Sequence, residues 1–389
     1  MDPKNSPRGG KQLYVQHLDT DSPKPAREYL LSLGIDSESV DVLFDANGDW
    51  KYKVKETVDP FTYTPDELEN FLISNLSPVY DLVSKSLDSI HELGFAKHDI
   101  PHIKDVTDQA LKLLIESGAD THTQIIGVTA AVIHDLGNIF SRKHHSLLSP
   151  LIFKLTFPHF VVDREDWFRI KNAVVYHDEP VIFEEISSWG EISAVKKVEK
   201  FKEVFKKEVL ALLISDKTRV NRKRLSDKNQ TIKAIDENEH YEVNLLGDTD
   251  SIIITNESAL VKINYHPYAS EEEAKNYPGF FKESKHFGYR ASVSKGMIEL
   301  HKFSTPIDNF SAWRHKYWKI YTERTLLAFY SLFALFPKIK KVRFQMIDHI
   351  FPGSKSSEKV EYSVLLEELE NFETLITLKY KKKSEKPSA

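Results

Sequence analysis

Two adjacent residues, His134 and Asp135, pose the first chemical question in this chain. They lie in the stretch Thr123 to His145, TQIIGVTAAVIHDLGNIFSRKHH, whose first half reads as an apolar helix with Ile126, Ala130 and His134 spaced four apart. A face that should be aliphatic thus carries an imidazole and, beside it, a carboxylate. A buried carboxylate without a partner costs roughly several kcal/mol, so it persists only with a strong counter-charge. A metal ion is the most economical partner for an adjacent His-Asp pair. Gly137 and Asn138 end the helix, and the loop after them carries Arg142, Lys143, His144 and His145.

The elements around this stretch repeat the anomaly. In PHIKDVTDQALKLL, His102, Val106, Ala110 and Leu113 share one helical face, and Gly118 closes the helix. Asp163 is the expected N-cap, with Asp166 at the N3 position, of a helix whose buried stripe runs through Val174 to His177. A long amphipathic helix is expected from about Ile192 to Lys217, where Val209, Leu212, Leu213 and Asp216 follow i, i+3, i+4, i+7 spacing. Each residue alone has a plainer reading. A lone histidine on an apolar face is commonly a core residue bonded to a carbonyl, Asp216 can cap the next turn, and His144 and His145 can be an exposed loop pair. Taken together, His102, His134, Asp135, His177 and Asp216 place imidazoles and carboxylates at core-facing phases of separate helices, with His145 on the loop. Such a set needs one shared counter-ion. The chain has no cysteine, so a metal must be held by nitrogen and oxygen, which favours Fe, Mn, Zn, Co or Mg.

The remaining sequence bounds the class. With 389 residues, 41% apolar and 11% aromatic, the chain can bury more than one core. The absence of cysteine excludes disulfides and thiol nucleophiles, and a formal charge of −5 gives no general attraction to nucleic acid or anionic lipid. The polar start MDPKNSPRGGKQ has no apolar signal region, and no run approaches about 18 apolar residues, so no membrane span and a cytoplasmic location are expected. Residues 1–64 read as a polar, mixed region with a disordered start, a short helix ending at Gly34, and an Asn-Gly turn leading into a strand; no chemistry is assigned to it. Residues 65–225 read as helical, opening with a helix or helix pair from Pro65 to Leu93 that Gly94 stops and including SPLIFKLTF, broken near Pro158. Residues 226–380 read as α+β. YEVNLL, SIIIT and ALVKINY are strand-like, a loop of about forty residues follows, and a helix spans Ala312 to Leu335. KKVRFQMID is a further strand, and EYSVLLEELENFETLITLKY holds one or two more. Residues 381–389 are a basic tail. The expected fold class is mainly α, with an all-helical middle and a smaller α+β C-terminal domain.

The order H…HD…H…H…D, carried by HIKDVTDQALKLL, AAVIHDLGN, KHHSLLS, YHDEP and LLISDKTRVNRKRL, resembles the HD-domain superfamily of metal-dependent phosphohydrolases over roughly Pro101 to Leu225. DKTRVNRKR is similar to the DK-x-x-V-x-R-x-R run of a group of single-HD proteins with a C-terminal α+β extension. YWKIYTERTLLAFYSLFALFPKIKKVRFQMID looks like that extension. The resemblance implies that His102, His134, Asp135 and Asp216 hold one metal. It also implies that His145 and His177 match the two extra histidines of binuclear members, with Asp135 bridging. Ser149 then stands at the small-residue position four after His145, which favours His145 over His144. One position departs from the pattern: many binuclear phosphodiesterases carry Lys after HD-x-G, whereas Asn138 stands here.

Phosphate recruitment would therefore fall to Arg142 and Lys143, or to Lys217, Arg219, Arg222 and Arg224 after the last ligand. The plainer alternative is a basic run complementing a helix dipole. Asp178 and Glu179 read either as a proton donor and an orienting group for His177, or as simply solvated. The implied activity is phosphohydrolase or phosphodiesterase action on a nucleotide-like phosphoester, through a metal-activated hydroxide and two divalent ions such as Fe or Mn. Asp135, Lys217 and Arg219 stand nearest the chemistry. Two alternatives share the fold: a diiron oxygenase, against which the cationic residues argue, and a non-catalytic sensing or assembly module. The expected partner is a phosphorylated small molecule, with a homodimer through the C-terminal domain as a further expectation. Nucleic acid is disfavoured by the negative charge and the lack of a basic, aromatic-interleaved stripe.

Overall fold

The computed structural model describes residues 23–54, 56–90, 98–221, 224, 247–265, 289–294, 297–302, 321–322, 325–349 and 356–370. The chain is mainly α, with a small four-stranded sheet toward its C-terminus. The helices are α1 (Pro23–Ser32), α2 (Ser37–Asp41), α3 (Pro65–Ile90), α4 (Ile100–Glu116), α5 (Thr121–Ile133), α6 (His145–Thr156), α7 (Arg164–Tyr176), α8 (Glu179–Ser187), α9 (Ala194–Val204) and α10 (Lys207–Thr218). They are followed by β1 (Gly247–Ile254), β2 (Ser258–Tyr265), β3 (Tyr289–Ser294), β4 (Met297–Lys302), α11 (Leu326–Leu335), β5 (Lys341–His349) and β6 (Ser356–Leu365). No helix among the described residues is long and apolar enough to cross a membrane.

The described residues form two compact units. The first holds those up to Leu87, His98–Ser188 and Lys206–Leu212. Its centre is α5, in which every residue from Ile125 to Ile133 is buried. A helix buried on all sides is positioned by its neighbours and not by one amphipathic stripe. Helix α4 lies so close that a Cβ on Gly127 would stand 2.3 Å from the Leu114 side chain. Aspartates at the N-caps start three of the helices: Asp99 accepts from His102 N at 3.2 Å, Asp120 from Thr123 N at 2.7 Å and Asp163 from Asp166 N at 2.8 Å. The last is the cap expected from the sequence. Helix α4 ends where expected, with Gly118 at φ 67°, a left-handed conformation that favours glycine. Helix α6 is anchored by Phe153, whose ring meets those of Phe157 at 5.1 Å, Phe160 at 4.8 Å and Trp167 of α7 at 5.9 Å.

Several local expectations are corrected here. The segment after the Asn-Gly turn forms single bridges, Phe44 to Trp50 and Val58 to Phe160, in place of a strand. Its amides are taken up by the end of α6 and the residues after it: Val54 N donates to Thr156 O and Val58 N to His159 O. The region from Pro65 bears out the single-helix alternative, with Pro78 inside the helix. His145 is the first residue of α6, not a loop residue, and the helix continues through Pro150.

The second unit takes in Trp189–Phe205 and the described residues from Leu213 onward, together with 88–90. The single helix expected from Ile192 to Lys217 is two helices. Phe205 turns extended (φ −107°, ψ 130°) after α9 and packs its ring 5.2 Å from Phe201 and 6.3 Å from Trp189. The sheet runs β1-β2-β5-β6, antiparallel at both edges and parallel between β2 and β5. A parallel pair needs a long connection, and α11, buried along its whole length, lies within it in sequence. Tyr330 of α11 stacks at 5.6 Å on Phe201 of α9, and the ring of Tyr321 lies 4.9 Å from Phe344 of β5. The stretch expected to be a loop of about forty residues contains the antiparallel pair β3 and β4. YEVNLL, the chain start, Gly94, most of 303–324, the C-terminal tail and Arg222 lie outside the described residues.

Candidate metal centre

Within the first unit, five imidazoles converge on one carboxylate. Asp135 follows α5 by two residues, and only 1% of it is exposed. Its Oδ2 faces His98 Nδ1 at 2.5 Å, His134 Nε2 at 3.1 Å and His102 Nε2 at 3.4 Å. Its Oδ1 faces His145 Nε2 at 3.7 Å and His177 Nε2 at 3.9 Å. All six residues are buried. Burial pushes the Asp135 carboxyl up, but positive charge on the imidazoles around it, His134 and His98 first, outweighs it and holds the carboxyl well below its ordinary range.

Backbone geometry turns the Nε2 atoms of three imidazoles toward Asp135. His134 Nδ1 lies 2.7 Å from Ala131 O, His145 Nδ1 lies 2.8 Å from Arg142 O, and His177 Nδ1 bonds Val174 O. A carbonyl can only accept, so in each ring Nδ1 carries a proton, and Nε2 either carries a second one, charging the ring beside Asp135, or in the neutral ring presents a lone pair. This is the tautomer a metal ligand needs, and a carbonyl bonded to the other nitrogen is the usual way to hold it. His145 Nε2 and His177 Nε2 are 3.0 Å apart. Two lone pairs at that distance in a buried site repel unless a cation, either a proton or a metal, stands between them. The groups His98, His102 and Asp135, and His134, Asp135 and His177, each bring ligand atoms within 4.8 Å of one another. The donor set therefore fits a metal with nitrogen and oxygen preference.

Neighbouring side chains hold the carboxylate in place. Asn138 Nδ2 donates to Asp135 Oδ1 at 2.9 Å, and Arg142 Nη1 donates to Asn138 Oδ1 at 3.3 Å. Asn138 thus places an amide on the carboxylate and a guanidinium one hydrogen bond further out. The Tyr80 hydroxyl donates to Val132 O in the last turn of α5, and burial followed by the Asp135 charge pushes its pKa well up.

Of the residues singled out from the sequence, His102, His134, Asp135, His145 and His177 are brought together. Asp216 belongs to the second unit, where Lys217 Nζ lies 3.0 Å from its Oδ2. Arg219 donates to Thr249 O at 3.3 Å, Arg224 is buried, and Lys143 is exposed. His144 is half-buried at the N-cap of α6; burial and then the Lys143 charge push its pKa down, against Asp178. Ser146 Oγ donates to Asp178 Oδ2 at 3.2 Å, and Glu179 opens α8. His98 is the residue that sequence reasoning missed. It precedes the N-cap Asp99 and so belongs to no helical stripe; its only signal was the four-residue spacing to His102.

Compared with known proteins, the chain matches no family model, no curated protein and no solved structure. A helical unit with a buried His/Asp cluster able to hold a metal is compatible with an HD-like fold.

Proposed function

We propose that this chain is a metal-dependent hydrolase of a phosphoester in a nucleotide-like small molecule. The observation that carries the metal reading is the convergence of the Nε2 atoms of His134, His145 and His177 on one buried carboxylate, two of them 3.0 Å apart. His102, His134, His145, His177 and Asp135 would hold the ions, and Asp216 is a ligand only as the resemblance to HD phosphohydrolases implies. Bound divalent ions would supply Lewis-acid polarisation of a phosphoryl oxygen and acidify a coordinated water.

The chain's own residues supply orientation and charge. Asp135 offers one oxygen to each side of the cluster, and the Asn138 amide keeps its Oδ1 turned toward His145 and His177. Arg142, tied to that amide, is the guanidinium best placed to take two oxygens of a phosphoryl group. Lys143, on the same loop, adds positive charge in solvent. Lys217 and Arg219 are assigned to the same task on their positions after Asp216. The abundance of cationic residues favours a phosphorylated substrate over a neutral polyol.

The reading is tested by assaying purified protein, supplied with Mn or Fe, on a panel of nucleotides and cyclic dinucleotides. Phosphate or nucleotide release that disappears in Asp135→Ala, with circular dichroism unchanged, is the expected result. An untouched panel would overturn the phosphohydrolase assignment, and oxygen uptake by the diferrous protein would replace it with the oxygenase reading.

A further inference from the structure

Ser149 lies on α6, one turn beyond His145, and is fully buried. Its hydroxyl lies 2.8 Å from His145 O, the ordinary i−4 bond of a helical serine. Two other contacts have no such local origin, the single hydroxyl proton being shared between the two carbonyls. Ser149 Oγ lies 2.7 Å from His134 O, fifteen residues earlier, and accepts from Gly137 N at 2.8 Å. One hydroxyl thus joins the end of α5, the turn at Gly137 and the first residue of α6. The two backbones are in contact at the same place: a Cβ on Gly137 would come 2.1 Å from His145 O. Each ring is bonded through Nδ1 to a carbonyl three residues earlier in its own segment, so its position follows the local backbone.

We propose that Ser149 is a positioning residue for the metal centre, setting the separation of the His134 and His145 backbones so that both Nε2 atoms face Asp135. The inference rests on the metal reading above. Removing the hydroxyl leaves Gly137 N and the His134 carbonyl to find new partners in a dry site, and the histidine segments drift apart. Groups that orient metal ligands typically change affinity by about 10–100-fold when removed.

The test compares Ser149→Ala with Thr156→Ala. Thr156 is also a fully buried hydroxyl on α6, bonded to Ile152 O at 2.9 Å and to Trp50 Nε1 at 3.2 Å. Affinity for Co(II) is measured by chelator competition, with the visible absorption of the bound ion as the signature of its ligand geometry. Ser149→Ala should weaken binding about 10–100-fold and change the spectrum. Thr156→Ala should lower the melting temperature while leaving affinity and spectrum as in the wild type. Ser149→Cys, which is somewhat larger and keeps only a weak donor, serves if the alanine variant does not fold. Wild-type affinity and spectrum in the Ser149 variant would overturn this inference alone, as would equal weakening by Thr156→Ala. Failure of the wild-type protein to bind any metal would instead overturn the metal reading itself.

Discussion

At the scale of single residues, Asp135 shows how a buried charge is kept. Burial alone would raise its pKa, and the surrounding imidazoles reverse the sign. His98 is the neighbour nearest to it, at 2.5 Å. His98→Ala should therefore lower metal affinity by about 10–100-fold, measured by metal analysis after dialysis against graded chelator. A second buried acid behaves in the opposite sense. Glu69 of α3 is raised to about 7, first by burial and then by Asp108, with Lys104 opposing and Asp66 adding to the shift. Because its folded pKa lies above the ordinary value of 4.5, its stabilising contribution is complete below about pH 4.5 and is lost as pH rises through about 7. Glu69→Gln, which keeps the neutral form at every pH, should match the wild type near pH 4. It should exceed it by about 1–2 kcal/mol at pH 8 in denaturant melts.

At the scale of elements, the centre depends on how α5 gives way to α6. Helix α5 stops at Ile133, two residues before Asp135, and a tight turn from Leu136 to Ile139 carries the chain around. That turn can form only because Gly137 has no side chain where the His145 carbonyl passes. Gly137→Ala should force these backbones apart. A loss of about 1–3 kcal/mol in folding stability is expected, together with loss of tight metal binding, read by thermal melts and chelator competition on the same samples. The glycine reads from sequence as a helix stop, and its steric role appears only where α6 crosses it. Likewise the stretch from Ile192 to Lys217 reads as one continuous amphipathic helix. The break appears because packing of Phe205 against Phe201 and Trp189 outweighs one more helical turn.

At the scale of the molecule, a metal held by residues from four different helical segments would bind the folded state alone. Loading it should therefore raise the melting temperature in proportion to the logarithm of free metal, worth about 2.7 kcal/mol at a hundred times the dissociation constant. A differential scan of metal-loaded and chelated protein measures this, and identical curves would count against a bound ion in the first unit. The strand character of β1, β2, β5 and β6 was foreshadowed by runs rich in Val, Ile and Phe. Their order was not, because the connection between β2 and β5 is long and strand adjacency across it is a non-local contact.

The sequence by itself determined the mainly α class, the later α+β texture, and the imidazoles and carboxylate that interrupt apolar stripes at His102, His134, Asp135 and His177. Those properties are periodic and local, so they can be read along one dimension. Only the tertiary structure decided that His98 joins Asp135 and that His145 opens a helix. It also decided that Asn138 orients the carboxylate and that Ser149 ties two histidine segments together. Each of these depends on a distance between segments far apart in the chain, set by close packing around α5, and no periodicity within one segment records it.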